Sequence, residues 1–301
     1  MARIPSRHPA GHGPALPAPI MPRLLLLLFC CIALPASADV PADRPAPTPI
    51  RASKVILVGD STTAVQGGWG PRFCADHLVS FAACTNLARG GRSTYNYRAE
   101  GSWALVEAEL RTPGYATTWV VIQFGHNDQP GKPGRSTDLQ REFPDNLRRY
   151  VADVRAGGAV PVLVTPLTRR QFADGTLIDD LGPWADAVRT VAAELDVPLV
   201  DLHARSRRLV QAMGPVLAMQ LAQAPASQQQ VAAALTGTTV DAAPSSAAGR
   251  AAQHALLEPM GQAKRAFDYT HLGDKGADVF ATIMAEELAR AVPAMRPLLL
   301  P

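Results

Sequence analysis

Short apolar runs alternate with longer segments of mixed polarity through most of the chain. Runs without regular polar alternation are typical of strands that are buried on both faces of a parallel sheet. Helix-length segments lie between them, for example at residues 139–156 and 183–195. This alternation predicts an α/β fold, a doubly wound sheet whose ligands bind at the carboxyl ends of the strands. The five predicted strands are residues 54–58, 83–88, 119–124, 160–164 and 197–200, with 83–88 the weakest.

The first 38 residues have the pattern of an export signal. An uninterrupted apolar run at residues 24–34 follows Arg23 and precedes a small-x-small site that ends at Ala38. A basic start, a short apolar run and such a site are typical of a secretory signal peptide. The run is shorter than the ~20 residues that cross a bilayer, so no stable membrane anchor is expected. We therefore expect cleavage after Ala38 and export to the periplasm or the medium, with Met21 as an alternative start.

The rest of the chain is predicted to be one domain at residues 53–301, preceded by a Pro-rich spacer at 39–52. Residues 221–263 depart from the alternating pattern because they are rich in Ala, Gln and Ser. Such composition indicates an insertion that is partly helical. It would be either a lid over the site or a tolerated surface insertion.

Charge argues against a nucleic-acid partner. The chain has 29 Lys and Arg against 26 Asp and Glu, and the three extra cations, Arg3, Arg7 and Arg23, all precede the expected cleavage site. The mature chain would therefore be neutral, whereas phosphate binding needs a cationic excess.

Cysteine and histidine usage excludes a zinc site of ordinary spacing. Cys30 and Cys31 would leave with the signal peptide, so that only Cys74 and Cys84 remain. The two could form one disulfide in an oxidising compartment or stay as buried thiols. No metal or other cofactor is expected.

Four blocks of polar residues follow predicted strands or precede the last helix. The first is Gly-Asp-Ser-Thr-Thr at residues 59–63, which places Ser61 at the ligand edge of the sheet. Taken alone, the position of Ser61 favours a helix N-cap over a nucleophile, since serine is common at that position. A phosphate-binding loop is excluded because no Gly-Lys-Ser/Thr is present at the required spacing.

The second and third blocks offer hydrogen-bond donors. Gly90 and Gly91 follow the weak strand, where glycine lets a backbone N–H approach a ligand or simply serves a turn. Asn127 follows the strongest strand in Gly-His-Asn-Asp and could point its amide at developing negative charge. An ordinary Asn-Asp turn is the alternative.

The fourth block, Asp-Tyr-Thr-His at residues 268–271, supplies a base. A histidine that takes a proton from a serine needs a carboxylate to fix its tautomer, and Asp268 lies three residues before His271. Each block alone is weak, and the prediction of a catalytic site depends on finding all four in one chain.

Together the four blocks resemble the SGNH (GDSL-type) hydrolases. Flanking residues look like the rhamnogalacturonan acetylesterase branch, carbohydrate esterase family 12. The resemblance covers about residues 54–290, apart from the insertion. The flanking positions are Thr62, Gly68-Trp69-Gly70, Arg92-Ser93 and Glu100-Gly101.

This resemblance implies a flavodoxin-like, three-layer α/β/α sandwich and metal-free deacetylation of a pectic polysaccharide. By position, Ser61 would be the nucleophile, His271 the base and Asp268 its orienting acid. The N–H groups of Ser61 and Gly91 and the side-chain amide of Asn127 would form the oxyanion hole.

We also expect Arg92, and less strongly Arg89, to meet the carboxylates of an acidic polysaccharide. Two other functions remain open at this point. One is another exported SGNH esterase, such as a lipase, arylesterase, thioesterase or acetylxylan esterase, acting on another small ester substrate. The other is a carbohydrate-binding protein on the same fold, which would be expected to lack part of the catalytic set.

Overall fold

The computed structural model describes residues 45–240 and 265–300. The chain divides into two compact units, Met1–Thr48 and Pro49–Pro301, and every element below belongs to the second. The predicted signal peptide and residues 241–263 of the predicted insertion lie outside the described residues.

The centre of the second unit is a five-stranded parallel sheet, which confirms the predicted fold class. The strands follow the order β2-β1-β3-β4-β7, and β5 and β6 form a separate antiparallel hairpin that the sequence did not predict. The strands are β1 Ser53–Gly59, β2 Ala82–Asn86, β3 Thr118–Gln123, β4 Val160–Val164, β5 Phe172–Ala173, β6 Thr176–Leu177 and β7 Leu199–Val200.

Helices flank the sheet and account for most of the remaining regular structure. The predicted helices at 139–156 and 183–195 are present as α4 and α5. The helices are α1 Gly70–Asp76, α2 Asn96–Ala99, α3 Ser102–Leu110, α4 Glu142–Ala156, α5 Gly182–Glu194, α6 Leu202–Ala218, α7 Gln228–Leu235 and α8 Asp274–Ala291. Short 3-10 helices occupy Met219–Leu221 and Pro293–Leu298.

Alternate residues of the strands enter two separate cores, because successive side chains of a strand point to opposite faces. Val55 and Leu57 of β1 pack in one core with side chains of α1, α6 and α8. Ile56 and Val58 pack in the other with side chains of α3, α4 and α5. Both faces of the sheet are therefore covered, which gives the three-layer arrangement.

The topology creates a crevice at the carboxyl ends of β1 and β3. The chain leaves β1 toward β2 on one side and later returns to β3 on the other, and ligands bind at such a switch point. Gly59 pairs with Gln123 here, and a Cβ on Gly59 would lie 2.6 Å from the Gln123 carbonyl oxygen. Glycine at this position therefore lets the two strand ends approach closely.

A disulfide between Cys74 of α1 and Cys84 of β2 links a helix to the edge of the sheet. Near the start of the predicted insertion, Ser227 is the N-cap of α7, and its hydroxyl accepts a hydrogen bond from the backbone N–H of Gln230 in a capping box.

Within residues 45–240 and 265–300, the helices are all too short or too polar to span a membrane. The same described ranges contain no cluster of three or more side chains suited to hold a metal ion.

Candidate active site

Ser61 lies in a tight turn directly after β1. The turn covers residues 61–64, and α1 does not begin until Gly70, so Ser61 is not the N-cap of a helix. Ser61 is 7% exposed, so the residue is buried but retains some contact with solvent.

The carboxylate of Asp60 shapes this turn. Its Oδ1 accepts hydrogen bonds from the backbone N–H and the hydroxyl of Thr62, both at 2.8 Å. Nδ1 of His126 lies 3.3 Å from Oδ2. Burial opposes ionisation of Asp60, but His126 and the hydrogen bonds from Thr62 outweigh it and lower the pKa of the carboxyl. A buried anion therefore holds the backbone on either side of Ser61.

Gly90, the first of the paired glycines, lies against Ser61. A Cβ on Gly90 would be 3.7 Å from the Cβ of Ser61. Gly91 has a φ of +77°, a conformation that glycine adopts without strain. The N–H of Arg89 donates to the carbonyl oxygen of Gly59 at 3.0 Å, which ties this block to the end of β1.

Asn127 comes four residues after β3 and is 8% exposed. Its Nδ2 donates to the carbonyl oxygen of Arg92 at 3.1 Å, so the third block is bonded to the second. Its Oδ1 accepts a hydrogen bond from the guanidinium of Arg135 at 3.1 Å. Because an amide nitrogen carries two N–H groups, the second N–H is the one that Asn127 could offer to a ligand.

Asp268 and His271 form a bonded pair in the turn before α8. Oδ2 of Asp268 lies 2.6 Å from Nδ1 of His271, and Oδ1 accepts the backbone N–H groups of Thr270 and His271, both at 2.7 Å. Burial alone would raise the pKa of Asp268, but the hydrogen bond and charge of His271, with the two N–H groups, lower it to about 2. The ionised carboxylate fixes the proton on Nδ1, which leaves Nε2 to act as a base.

The pair is bonded, through a neighbouring residue, to the loop that follows Ser61. The N–H of Leu272 donates to the carbonyl oxygen of Gly67 at 2.8 Å. A Cβ on Gly67 would lie 3.2 Å from Cδ2 of His271, so glycine permits this close approach. Ser61 Oγ and His271 Nε2, which both lie in the described part of the chain, make no direct hydrogen bond. In enzymes without substrate, the hydrogen bond between a base and a nucleophile is often long and shortens only when substrate binds.

Arg92 is not placed as the sequence analysis expected for a substrate contact. Its side chain is 2% exposed, and its Nε and Nη2 bind the carboxylate of Glu100 at 2.8–2.9 Å. Its Nη1 donates to the carbonyl oxygen of Gly90 at 2.7 Å. The guanidinium is thus directed into the protein, and this geometry does not support a contact with a polysaccharide carboxylate.

Two buried arginines that the sequence analysis missed contact the site. Arg135 donates to Asn127, and Arg170 donates to carbonyl oxygens of the Asp268–His271 turn. The sequence shows that both arginines lie on loops that follow strands, Arg135 after β3 and Arg170 after β4. It does not show which groups they contact, because the charge of an arginine does not identify its partner.

Comparisons with known proteins place the chain in a family. Residues 57–214 match the family described as GDSL-like Lipase/Acylhydrolase. The chain is 33% identical over 162 residues to the probable rhamnogalacturonan acetylesterase YesY of Bacillus subtilis strain 168, covering 52% of this chain and 72% of that protein. It is 39% identical over 171 residues to the rhamnogalacturonan acetylesterase RhgT of the same strain, covering 54% of this chain and 70% of that protein.

A solved structure shares the fold. The crystal structure of protein YXIM from Bacillus subtilis superposes with a TM-score of 0.56 at 22% identity, over 80% of this chain. The match spans 57% of that protein's length, which is less than two thirds of it. The resemblance expected from the four blocks is therefore confirmed, and the chain belongs to the GDSL-like lipase/acylhydrolase family, a family of ester hydrolases.

Proposed function

We propose that this protein is an exported serine esterase that removes acetyl groups from a plant cell-wall polysaccharide, with rhamnogalacturonan as its substrate. The observation that carries the proposal is the 2.6 Å pairing of Asp268 with His271, in a turn that is bonded to the segment carrying Ser61. An oriented imidazole near a strand-end serine is the arrangement that nucleophilic acyl transfer requires.

In the first half of the reaction, His271 Nε2 takes the proton of Ser61 Oγ as the oxygen attacks the ester carbonyl carbon. The negative charge that develops on the carbonyl oxygen is held by the N–H groups of Ser61 and Gly91 and by the Asn127 amide. The tetrahedral intermediate then collapses, and the sugar hydroxyl leaves with the proton from His271. Acetyl-serine remains.

In the second half, water gives a proton to His271 Nε2 and its oxygen attacks the acetyl carbonyl. The second tetrahedral intermediate releases acetate, and Ser61 recovers its proton from the imidazolium. Throughout, Asp268 stabilises the imidazolium without taking its proton. No step needs a metal ion or a redox cofactor.

The choice of substrate is supported by the relatives. YesY and RhgT, at 33% and 39% identity, carry the name rhamnogalacturonan acetylesterase. Export fits a polymeric substrate that is too large to enter a cell, and it is supported by the apolar run at residues 24–34.

The test measures acetate released from acetylated rhamnogalacturonan, acetylated xylan and a medium-chain ester by the wild type and Ser61→Ala. We expect release to be fastest from the pectic polymer and to disappear in the variant. Activity that survives Ser61→Ala would overturn the site. Ser61-dependent activity that favours xylan or the medium-chain ester would retain the mechanism and reject the substrate. Detection of the protein in the cell interior alone would reject export.

A further inference from the structure

Two buried arginines donate hydrogen bonds to the oxygen atoms of two amides whose N–H groups are proposed as oxyanion donors. Arg92 Nη1 donates to the carbonyl oxygen of Gly90, which belongs to the same peptide unit as the Gly91 N–H. Arg135 Nη1 donates to Oδ1 of Asn127, which belongs to the same amide as the Asn127 Nδ2. We propose that Arg135 is a positioning residue that orients and polarises the Asn127 amide for the oxyanion. This inference rests on the proposed function of the site.

The geometry of an amide explains the effect. In a trans peptide the C=O and N–H bonds point in opposite directions, so a donor fixed on the oxygen fixes the direction of the N–H. A charged donor also draws electron density from the amide, which makes its N–H a stronger donor. For the Asn127 side chain, a guanidinium on Oδ1 further opposes the flipped orientation, because it would then face an NH₂ group.

Arg135 differs from Arg92 in its charge environment. Arg92 is neutralised by the carboxylate of Glu100 at 2.8 Å. Arg135 is 8% exposed, and the described residues include no acidic side chain that forms an ion pair with it. Burial, followed by the charge of Arg92, lowers the pKa of Arg135. The Arg135 charge therefore has no ion-pair partner among the described residues and lies beside the position where negative charge would develop, and we expect Arg135 to have the larger electrostatic effect.

The loop that carries Arg135 is fixed to the strand end. The N–H of Thr137 donates to the carbonyl oxygen of Asp128 at 2.9 Å, and its hydroxyl donates to the Asp128 carboxylate at 3.0 Å. Arg135 Nη1 also lies 3.4 Å from the carbonyl oxygen of Gly91. One guanidinium nitrogen thus contacts residues of both donor blocks, which supports a role in holding them at a fixed separation.

The experiment is a double-mutant cycle on 4-nitrophenyl acetate, a neutral ester that offers no carboxylate for Arg135 to bind. The four proteins are wild type, Arg135→Met, Asn127→Ala and the double variant, with Ser61→Ala as the measure of background. Arg135→Met should lower kcat about tenfold to hundredfold and change KM less than about twofold, since removal of a whole donor costs about 100- to 1000-fold. In the Asn127→Ala protein the same substitution should lower kcat less than about threefold, because the amide on which Arg135 acts is absent.

Two further variants separate this role from a general effect on folding. Arg135→Lys keeps the positive charge and should recover part of the lost kcat. It also replaces Arg135→Met in the cycle if circular dichroism shows that the Met variant is unfolded. Arg141→Met, an exposed arginine six residues further along, should leave kcat and KM unchanged.

Three outcomes would overturn the inference. These are an equal loss of kcat in both backgrounds, a loss confined to KM, and an unchanged kcat in Arg135→Met. If the wild type shows no Ser61-dependent hydrolysis of any ester, the proposed function is rejected, and the inference that depends on it is rejected as well. Ser61-dependent hydrolysis without coupling between Arg135 and Asn127 removes the inference alone.

Discussion

Arg170 donates a hydrogen bond from its guanidinium to the carbonyl oxygen of His271 at 2.8 Å. The same guanidinium reaches the carbonyl oxygens of Asp268 at 3.0 Å and Thr270 at 3.1 Å, and the Arg170 backbone N–H donates to Tyr269 at 2.9 Å. One buried residue therefore satisfies four successive carbonyl oxygens of the turn. Burial lowers the pKa of Arg170, opposed by the charge of Asp268, to about 10, so the side chain is charged at neutral pH.

Loss of this guanidinium should weaken both folding and catalysis. In Arg170→Met, three partly buried carbonyl oxygens lose their donor, and loss of a partner at a fully buried group costs about 1–3 kcal/mol. We expect an unfolding free energy lower by on the order of 3 kcal/mol and a reduced kcat, measured by urea unfolding and by ester hydrolysis. Arg170→Lys should recover part of both, since a lysine can satisfy some of the carbonyls.

Arg148→Met on the exposed face of α4 is the matched control and should change the unfolding free energy by less than about 1 kcal/mol. A folded Arg170→Met protein with the kcat of the wild type would show that the turn keeps its geometry without the arginine.

The fold and the candidate site residues could be predicted from the sequence because their signals are local. Most strands of the sheet are short apolar runs, and Ser61, Gly91 and Asn127 each follow a strand within a few residues. Asp268 and His271 are three residues apart, so their pairing needs only one turn of chain.

The supporting arginines were not predictable because their contacts are distant in sequence. Arg170 meets residues about 100 positions away, and Arg135 meets the Gly91 carbonyl 44 positions away. For Arg92 the expected contact also differs from the observed one, although its partner is close in sequence. Arg92 was expected to meet a carboxylate of the polysaccharide, but the carboxylate of Glu100, eight residues further along, binds it inside the protein. Whether a buried arginine meets a distant carbonyl oxygen or a nearby carboxylate depends on tertiary packing, which the sequence pattern does not show.

Replacement of Asp268 by Asn should leave the fold intact and lower kcat strongly. The amide keeps an oxygen for the N–H groups of Thr270 and His271, but it cannot stabilise an imidazolium and allows the wrong tautomer of His271. Comparable changes in serine hydrolases cost about 10⁴-fold in kcat. Steady-state hydrolysis of an acetyl ester tests this, with thermal unfolding as the check on folding. A loss below about tenfold would assign the orienting role to another group.

We expect Asp128 to make the stability of the protein depend on pH between about pH 4 and pH 7. Its Oδ1 accepts three hydrogen bonds, two from Thr94 and one from Thr137, and its Oδ2 has no hydrogen-bond partner. Burial raises the pKa of the carboxyl to about 7, with the charge of Asp60 acting in the same direction and the hydrogen bonds opposing it.

The sign of the effect follows from proton binding. Between about pH 4 and pH 7 the unfolded chain has lost the Asp128 proton and the folded protein has kept it, so the stability that Asp128 contributes falls as the pH rises. Asp128→Asn stays neutral, and we expect it to become more stable relative to the wild type between pH 4.5 and pH 8, measured by urea unfolding. Asp145→Asn, on the exposed surface of α4, should show no such trend. A difference that is constant with pH would mean that the folded protein holds Asp128 in its ionised form.

The disulfide between Cys74 and Cys84 should stabilise the domain and be present in the exported protein. It closes a loop with a sequence separation of 10, and constraint of a loop of that length in the unfolded chain is worth about 2–3 kcal/mol. Peptide mapping without reductant should recover the Cys74 and Cys84 peptides linked to each other, and reductant should lower the unfolding free energy by that amount. The Cys74→Ser, Cys84→Ser double variant should start at the lower value and not respond to reductant. Since the bond persists only in an oxidising compartment, unlinked cysteines in protein from its natural source would argue against export as well as against the disulfide.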